Sequence, residues 1–184
     1  MSIFEISSIA LWVVVLVNLI LTLVIIRHLS QQSVTLVETL PKGSVIPDFQ
    51  ATSLDGKTVT YEDFSGKSLV LVFVSPTCGH CRPTISEIEE LYSLAEEKGF
   101  EIVLVSDSEN HETNVLVAEM NISAPIVSAP RAVNSFLKNF KINVIPSYVM
   151  IDSGKAVKAA GDVYDLDWTS FVNTVKGKGG GINT

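Results

Sequence analysis

The sequence contains few cysteines, few histidines and little positive charge. Only two cysteines and three histidines occur in 184 residues. Two cysteines are too few for a disulfide scaffold, and the small number of both residue types argues against a Cys/His zinc site. The 13 lysines and arginines are outnumbered by 20 acidic residues and form no run beyond a sparse tail at Lys176–Lys178. Because a nucleic-acid interface needs clustered positive charge, we expect no nucleic-acid partner. We also expect neither a bound metal nor a cofactor.

Charged residues are absent from one long stretch near the start of the chain. Ile9–Ile26 contains 18 residues that only Asn18 and Thr22 interrupt, and as a helix it would measure about 27 Å, close to the roughly 30 Å hydrocarbon core of a bilayer. A buried core helix would show a polar face, and a cleaved signal peptide would show a basic start and a small-residue cleavage site. This stretch shows none of these. We therefore predict an uncleaved transmembrane anchor over 1–28, in contact with membrane lipid.

The rest of the chain divides by composition. Residues 29–44 are polar and mixed and are predicted to be a linker, closed by Pro41 and Gly43. Residues 45–176 are long enough for one substantial core and are predicted to form one domain. The glycine-rich end, 177–184, is predicted to be a disordered tail.

Within 45–176, hydrophobic patterning alternates between strands and helices. The predicted elements are a hairpin of 48–54 and 57–61 around Asp55-Gly56, a buried strand 69–75, a helix 82–98, a buried strand 101–106, a helix 110–120, a short apolar strand near 125–127, a helix 131–140 with Val133, Phe136 and Leu137 inward, a hairpin of 147–152 and 155–160, and a helix 167–175. This order predicts an α/β fold whose sheet has mixed strand direction.

Both cysteines lie in one motif, Cys78-Gly79-His80-Cys81, between the predicted strand 69–75 and the next helix. A CxxC pair at such a junction is typical of a thioredoxin-like redox site, with a disulfide between Cys78 and Cys81 in the oxidised state. The helix N-terminus favours a thiolate at Cys78, which predicts that this residue is the nucleophile. Cys81, one turn further along, is predicted to resolve the mixed disulfide. His80 adds positive charge that stabilises the thiolate, and Gly79 has no side chain to block a partner.

Two other interpretations of the cysteines stay open. They could be inert core residues, although they are the only two cysteines and follow a strand end. They could be half of a zinc or copper site, although no second CxxC occurs and His111 is the only later histidine.

A second informative motif is Ile145-Pro146-Ser147, directly before a predicted strand. Proline cannot donate to a strand ladder, so Pro146 lies at the first position or at an edge. It is either a trans proline that ends a loop or a cis proline beside the CxxC motif that leaves backbone free to pair with a substrate. In the second case Ile145, with Pro76 and Thr77, would contact the substrate.

Together these motifs resemble the thioredoxin superfamily, and within it the membrane-tethered TlpA-like branch. The resemblance covers about 45–176 and rests on Ile46-Pro47-Asp48-Phe49, Leu54-Asp55-Gly56-Lys57, Phe64-Ser65-Gly66-Lys67, the CxxC motif, and Ile145-Pro146-Ser147 followed by Ile151-Asp152-Ser153-Gly154. It implies a thioredoxin-like fold with an N-terminal β-hairpin extension, preceded by one transmembrane helix, and it implies that Pro146 is cis.

Two stretches also resemble MauD proteins, accessory factors for methylamine dehydrogenase, whose small subunit is rich in disulfides. These are Ser8-x-x-Leu11-Trp12 and Phe73-Val74-Ser75-Pro76-Thr77-Cys78. Arg27 alone would place the following domain in the cytoplasm, but the resemblance implies an extracytoplasmic domain, where disulfides persist. It also implies cysteine-containing clients, among them such a small subunit, and a membrane redox partner.

The chain departs from related redox proteins at three positions. Val72 replaces the buried acid of thioredoxin, Thr84 replaces the glutamate of ResA-like reductases, and Thr77 replaces the usual tryptophan. Without the buried acid, we expect slow proton removal from Cys81. The Gly-His dipeptide is the one found in disulfide isomerases and favours an oxidising or isomerising couple.

The leading hypothesis is therefore an enzyme, a membrane-anchored thiol–disulfide oxidoreductase that forms or rearranges disulfides in extracytoplasmic clients. A second hypothesis is a reductase of client or apocytochrome thiols that receives electrons from a membrane donor. A third is an assembly factor that binds a metal or a client through the two cysteines.

Overall fold

The computed structural model describes residues 3–32, 39–64 and 66–177, and the chain separates into two compact units between Leu36 and Val37. The first unit contains helix α1 (Ile3–Gln32), whose side chains from Leu11 to Val24 are all exposed. Among the described residues, no helix combines the length and the apolar character that crossing a membrane requires. The predicted transmembrane helix is therefore not confirmed.

The structure describes both ends of the predicted linker. Helix α1 continues to Gln32, so the start of 29–44 is helical, while 33–38 lie outside the described residues. At the other end, the Gly43 N–H donates to the Val157 carbonyl at 2.7 Å, which joins this segment to the second unit. The predicted tail also lies outside the described residues beyond Gly177.

In the described part of the second unit, seven strands form one mixed sheet. They are β1 (Ala51–Ser53), β2 (Thr58–Val59), β3 (Ser68–Val74), β4 (Phe100–Ser106), β5 (Ile126–Ser128), β6 (Ser147–Ile151) and β7 (Val157–Asp162). Their spatial order is β2-β1-β5-β4-β3-β6-β7, with β3, β4 and β5 parallel and the other neighbours antiparallel. The hairpin β1–β2 lies at one edge of the sheet and forms the predicted N-terminal β-hairpin extension.

Helices cover both faces of this sheet. They are α2 (Cys81–Glu97), α3 (Asn110–Met120), α4 (Phe136–Asn139) and α5 (Leu166–Val175), with a short 3₁₀ helix at Tyr61–Phe64. Because side chains alternate along a strand, β3 buries one set of residues on each face. Val70, Val72 and Val74 pack with α2 and α5 on one face, and Leu69, Leu71 and Phe73 pack with Phe136 of α4 and with Phe140 on the other. The thioredoxin-like α/β prediction is confirmed.

The predicted helix 131–140 is wrong in its first half. Only Phe136–Asn139 is α-helical, and Val133, expected inward, is 84% exposed, whereas Phe136 is buried as expected. The cause is Asn134, whose side chain accepts from the Phe136 N–H at 2.8 Å and donates to the Gln50 carbonyl at 2.8 Å. Such side-chain bonds to the backbone compete with helix formation.

We expect Phe136 to be among the main contributors to stability on the α4 face. Its ring stacks on Phe49 at 4.2 Å between centroids and also contacts Phe73 and Phe140. Phe136→Ala should lower the free energy of unfolding by about 3–5 kcal/mol, measured by denaturant titration. The exposed Val133→Ala is the control and should change it by no more than about 0.5 kcal/mol. Equal effects of the two changes would contradict the packing described here.

Candidate active site

The CxxC motif lies where the chain leaves the sheet. After β3, Ser75 and the residues that follow make two turns, in which Cys78 N–H donates to the Ser75 carbonyl and Cys81 N–H donates to the Cys78 carbonyl, both at 3.1 Å. Pro76 has no N–H to extend a strand ladder, so the strand ends here. Helix α2 begins at Cys81. The predicted position of the motif, between a buried strand and a helix N-terminus, is confirmed.

The two thiols differ sharply in their environment. Cys81, the first residue of α2, is 0% exposed and packs in the core, whereas Cys78 is half-buried. Burial, and after it the hydrogen bond to Cys78, raises the pKa of the Cys81 thiol to about 12. Both cysteines are free thiols in this structure, so the disulfide between them stays a prediction for the oxidised state.

The loop before β6 completes the site. The Ile145–Pro146 peptide bond is cis, which decides between the two alternatives left open by the sequence. Pro146 is buried and Ile145 is half-buried. The Cys78 thiol points at the Ile145 carbonyl, with 3.8 Å between Sγ and O. The motif and the proline loop, 67 residues apart in sequence, therefore form one site.

The remaining predicted site residues surround Cys78. Thr77, Gly79 and His80 are exposed, and Pro76 is half-buried. A side chain at Gly79 would meet no atom within 4 Å, so the surface there is open. His80 occupies the N-cap position of α2 and makes no capping hydrogen bond with its side chain. All the predicted site residues thus lie at one end of the sheet, although their roles stay predictions.

The buried side of the site is apolar, as expected from Val72 at the position where thioredoxin has a buried acid. Val72 is 0% exposed and pairs directly with Leu104 on β4 and with Tyr148 on β6. Thr84, which stands where ResA-like reductases have a glutamate, is buried on α2. Neither position supplies a carboxylate to the buried thiol.

Sequence analysis missed an ion pair beside the site. Asp107 follows β4, its N–H donates to the Val74 carbonyl at 3.1 Å, and its carboxylate accepts from Arg131 Nε at 3.3 Å. The negative charge of Asp107 contributes to the raised pKa of Cys81. Arg131 also donates from Nη1 to the Ile142 carbonyl at 3.3 Å, in the loop that leads to Pro146. The sequence signal that could have revealed this ion pair is an acidic residue, Asp107, directly after the buried strand β4.

Comparison with known proteins agrees with this geometry. Residues 41–174 match the Redoxin family. The chain belongs to the Redoxin family. Two similar curated proteins are the "Thiol-disulfide oxidoreductase ResA" of Bacillus thuringiensis subsp. konkukian (29% identity, 66% of this chain and 70% of that protein) and of Geobacillus kaustophilus (29%, 63% and 66%). The prediction that this Redoxin-family chain is an enzyme, a thiol–disulfide oxidoreductase, is confirmed.

Solved structures give the same result for the fold. A thiol:disulfide interchange protein from Bacteroides sp. is 25% identical, has a TM-score of 0.65, and aligns over 78% of this chain and 93% of its own. A structure described as a putative DsbE from Chlorobium tepidum is 20% identical with a TM-score of 0.63, aligns over 76% of this chain and 98% of its own, and shows the fold alone.

Among the described residues of this Redoxin-family chain, no group of three or more potential ligand side chains could hold a metal.

The environment of Cys81 predicts a distinctive pH profile. In the Cys78→Ala variant, alkylation of Cys81 by iodoacetamide should be slow at about pH 8 and should keep rising well above the ordinary cysteine pKa of about 8.5, because burial favours the neutral thiol. The same variant in denaturant is the control and should level off near the ordinary value. If the profile of the folded variant also levels off near the ordinary cysteine pKa, burial does not raise the pKa of Cys81.

Asp107 provides a second variable in the same assay. Its carboxylate disfavours a thiolate at Cys81, so adding Asp107→Asn to the Cys78→Ala variant should move the alkylation profile to lower pH. A shift to higher pH would show that the charge of Asp107 does not act on Cys81 in this way.

Proposed function

We propose that the protein is a membrane-anchored, extracytoplasmic thiol–disulfide oxidoreductase that forms or rearranges disulfides in client proteins through Cys78 and Cys81. The observation that carries the proposal is the contrast between the two thiols. Cys78 lies at the open end of α2, facing the Ile145 carbonyl, and Cys81 is fully buried with its pKa raised to about 12.

The proposed oxidation proceeds by two thiol–disulfide exchanges. A client thiolate attacks Sγ of Cys78 in the oxidised pair, forming a mixed disulfide while the bond to Cys81 breaks and Cys81 takes up a proton. A second client thiolate then attacks the client sulfur of the mixed disulfide, and Cys78 leaves as a thiolate. The client gains a disulfide, and two electrons pass to the cysteine pair. A membrane redox partner would reoxidise it.

The environment of Cys81 supports this direction. In reduction of a client, Cys81 must lose its proton and attack the mixed disulfide, and its raised pKa slows that step because the thiolate is the nucleophile. In oxidation or isomerisation, a client thiol resolves the mixed disulfide and Cys81 stays protonated. The buried pair of Val72 and Tyr148 beside the site offers no carboxylate to help the first route.

One observation favours the alternative, a reductase supplied by a membrane electron donor. Asp107 lies close enough for its charge to act on Cys81, and its side chain is 16% exposed. A carboxylate at that place could accept the Cys81 proton and speed up resolution.

The proposed location and clients rest on the sequence. The apolar run Ile9–Ile26 supports an anchor, and in α1 the side chains of Leu11–Val24 are exposed. The likeness to MauD proteins supports an extracytoplasmic domain and a disulfide-rich client such as a methylamine dehydrogenase small subunit.

Trapping of mixed disulfides tests the roles of the two cysteines. Cys81→Ala should accumulate mixed disulfides with clients, because Cys78 still attacks client disulfides while Cys81 can no longer displace the client, and Cys78→Ala should trap none. Non-reducing gels of membrane fractions, followed by identification of the trapped proteins, would measure this. The double variant Cys78→Ala/Cys81→Ala is the control, and the reverse pattern would refute the assignment.

The reduction potential of the pair separates the two directions. Equilibration with glutathione should give about −120 to −180 mV for an oxidant or isomerase, whereas about −270 mV or lower would favour the reductase. His80→Ala should lower the potential by about 10–20 mV, because a cation near the thiolate stabilises the reduced state. His111→Ala, an exposed histidine on α3, is the matched control and should leave the potential unchanged.

Reporter fusions test the location. Alkaline phosphatase fused after Thr184 should be active, because it folds only outside the cytoplasm, and the fusion should stay in the membrane fraction. Activity of a cytoplasmic reporter alone at the same position would overturn the proposed orientation.

A further inference from the structure

The cis-proline loop (142–146) has few attachments, and its middle residues are exposed. Among the described residues, only two side chains hydrogen-bond its backbone. Arg131 Nη1 donates to the Ile142 carbonyl at 3.3 Å, and the Cys78 thiol donates to the Ile145 carbonyl, with 3.8 Å between Sγ and O. One side chain therefore holds each end of the loop.

Only the bond from Arg131 can persist through the reaction. The Cys78 thiol needs its proton to donate to the Ile145 carbonyl, and a thiolate, a disulfide or a mixed disulfide has no such proton. Cys78 takes these three forms during thiol–disulfide exchange. The Ile145 end of the loop therefore loses its bond when Cys78 reacts, whereas the Ile142 end keeps the bond from Arg131.

Arg131 is itself fixed to the end of the sheet. Its backbone N–H donates to the Asp107 carbonyl at 3.1 Å, and its Nε donates to the Asp107 carboxylate at 3.3 Å. Asp107 donates its own N–H to the carbonyl of Val74, the last residue of β3, at 3.1 Å. Because the guanidinium is planar, its Nε and Nη1 donors keep a fixed geometry relative to each other. The side chain therefore connects the buried end of β3 to the cis-proline loop.

The ion pair of Arg131 and Asp107 adds little to stability. The Arg131 side chain is 44% exposed, and an ion pair with a partner this accessible contributes little to the free energy of unfolding. The two bonds of the guanidinium instead restrict where the cis-proline loop lies. A change at Arg131 should therefore alter the reaction with clients more than it alters the fold.

The backbone of Ile145 is available to a client. Ile145 is half-buried, and its N–H donates no hydrogen bond within the part of the chain that the structure describes. Once Cys78 has released the carbonyl, Ile145 offers one donor and one acceptor to an extended polypeptide, as a strand at a sheet edge does. These groups bind a client best when they are held in one place, because ordering a mobile loop costs conformational entropy.

We propose that Arg131 is a positioning residue for client binding, which holds the Ile145 backbone beside Cys78 after the thiol proton has left. The inference rests on the proposed function, in which a client polypeptide forms a mixed disulfide with Cys78. Arg131 contacts neither sulfur and acts through Ile142. It therefore affects substrates that have a polypeptide backbone and does not affect small disulfides that lack one.

Two substrates with the same leaving group test the proposal. One is a short uncharged peptide with a central cysteine, and the other is 2-mercaptoethanol, each activated as its mixed disulfide with thionitrobenzoate. In the full chain with Cys81→Ala, the Cys78 thiolate attacks the substrate sulfur, a Cys78–substrate disulfide forms, and thionitrobenzoate leaves with the electron pair and is measured by its colour. Each rate is divided by the rate of the same substrate with glutathione, which removes the intrinsic reactivity of the substrate.

The Cys81→Ala parent should favour the peptide over 2-mercaptoethanol. Adding Arg131→Gln should slow the peptide about fivefold, as expected for one lost hydrogen bond, and should leave the rate of 2-mercaptoethanol unchanged. Arg131→Lys should also slow the peptide, because an ammonium keeps the charge but lacks the planar pair of donors.

Lys138→Gln is the matched control. It removes the same charge from an exposed side chain on α4 and should leave both rates unchanged. If Arg131→Gln lowers both rates equally, the fold has changed, and the ratio of the two rates in Arg131→Lys decides.

Three results would overturn the role of Arg131 while leaving the reactivity of Cys78 established. They are an unchanged ratio in both Arg131 variants, a full peptide rate in Arg131→Lys, and an equal loss in Lys138→Gln. Failure of the parent to react with the peptide would overturn the proposed function as well.

Discussion

The site depends on the burial of strand β3 from Leu69 to Val74. Its residues from Leu69 to Val74 are at most 1% exposed, because β4 and β6 flank the strand and helices cover both faces. A strand enclosed in this way can release the chain only at its ends. The turn that begins at Ser75 is therefore where reactive groups reach solvent, and the N-terminus of α2 is fixed beside it.

The same hydrophobic pattern that packs α2 also separates the two thiols. Cys81, Ile85 and Ile88 follow the i, i+4, i+7 spacing of one helix face, and all three are fully buried. Cys78 lies three residues before the helix begins and is therefore not part of that buried face. Burial then favours the neutral form of Cys81, whereas Cys78 stays partly accessible at the helix terminus. One periodic pattern thus sets both the packing and the division of chemical roles.

The sequence predicted what depends on local pattern and turn chemistry. The β1–β2 hairpin, β3, α2 and the CxxC junction follow from periodicity and from the Asp55-Gly56 turn, and the structure confirms them. The helix predicted over 131–140 failed because Asn134 bonds to the distant Gln50 backbone, a tertiary contact that periodicity does not contain.

The absence of an acid at Val72 has a physical explanation in its neighbours. Val72 is enclosed by Leu104 and Tyr148, and a carboxylate there would lose its hydration without a partner to offset the cost. Asp107 instead lies at the end of the adjacent strand, where partial exposure and Arg131 stabilise its charge. Because Arg131 also donates to the Ile142 carbonyl, one side chain links the acid near Cys81 to the loop that leads to Pro146.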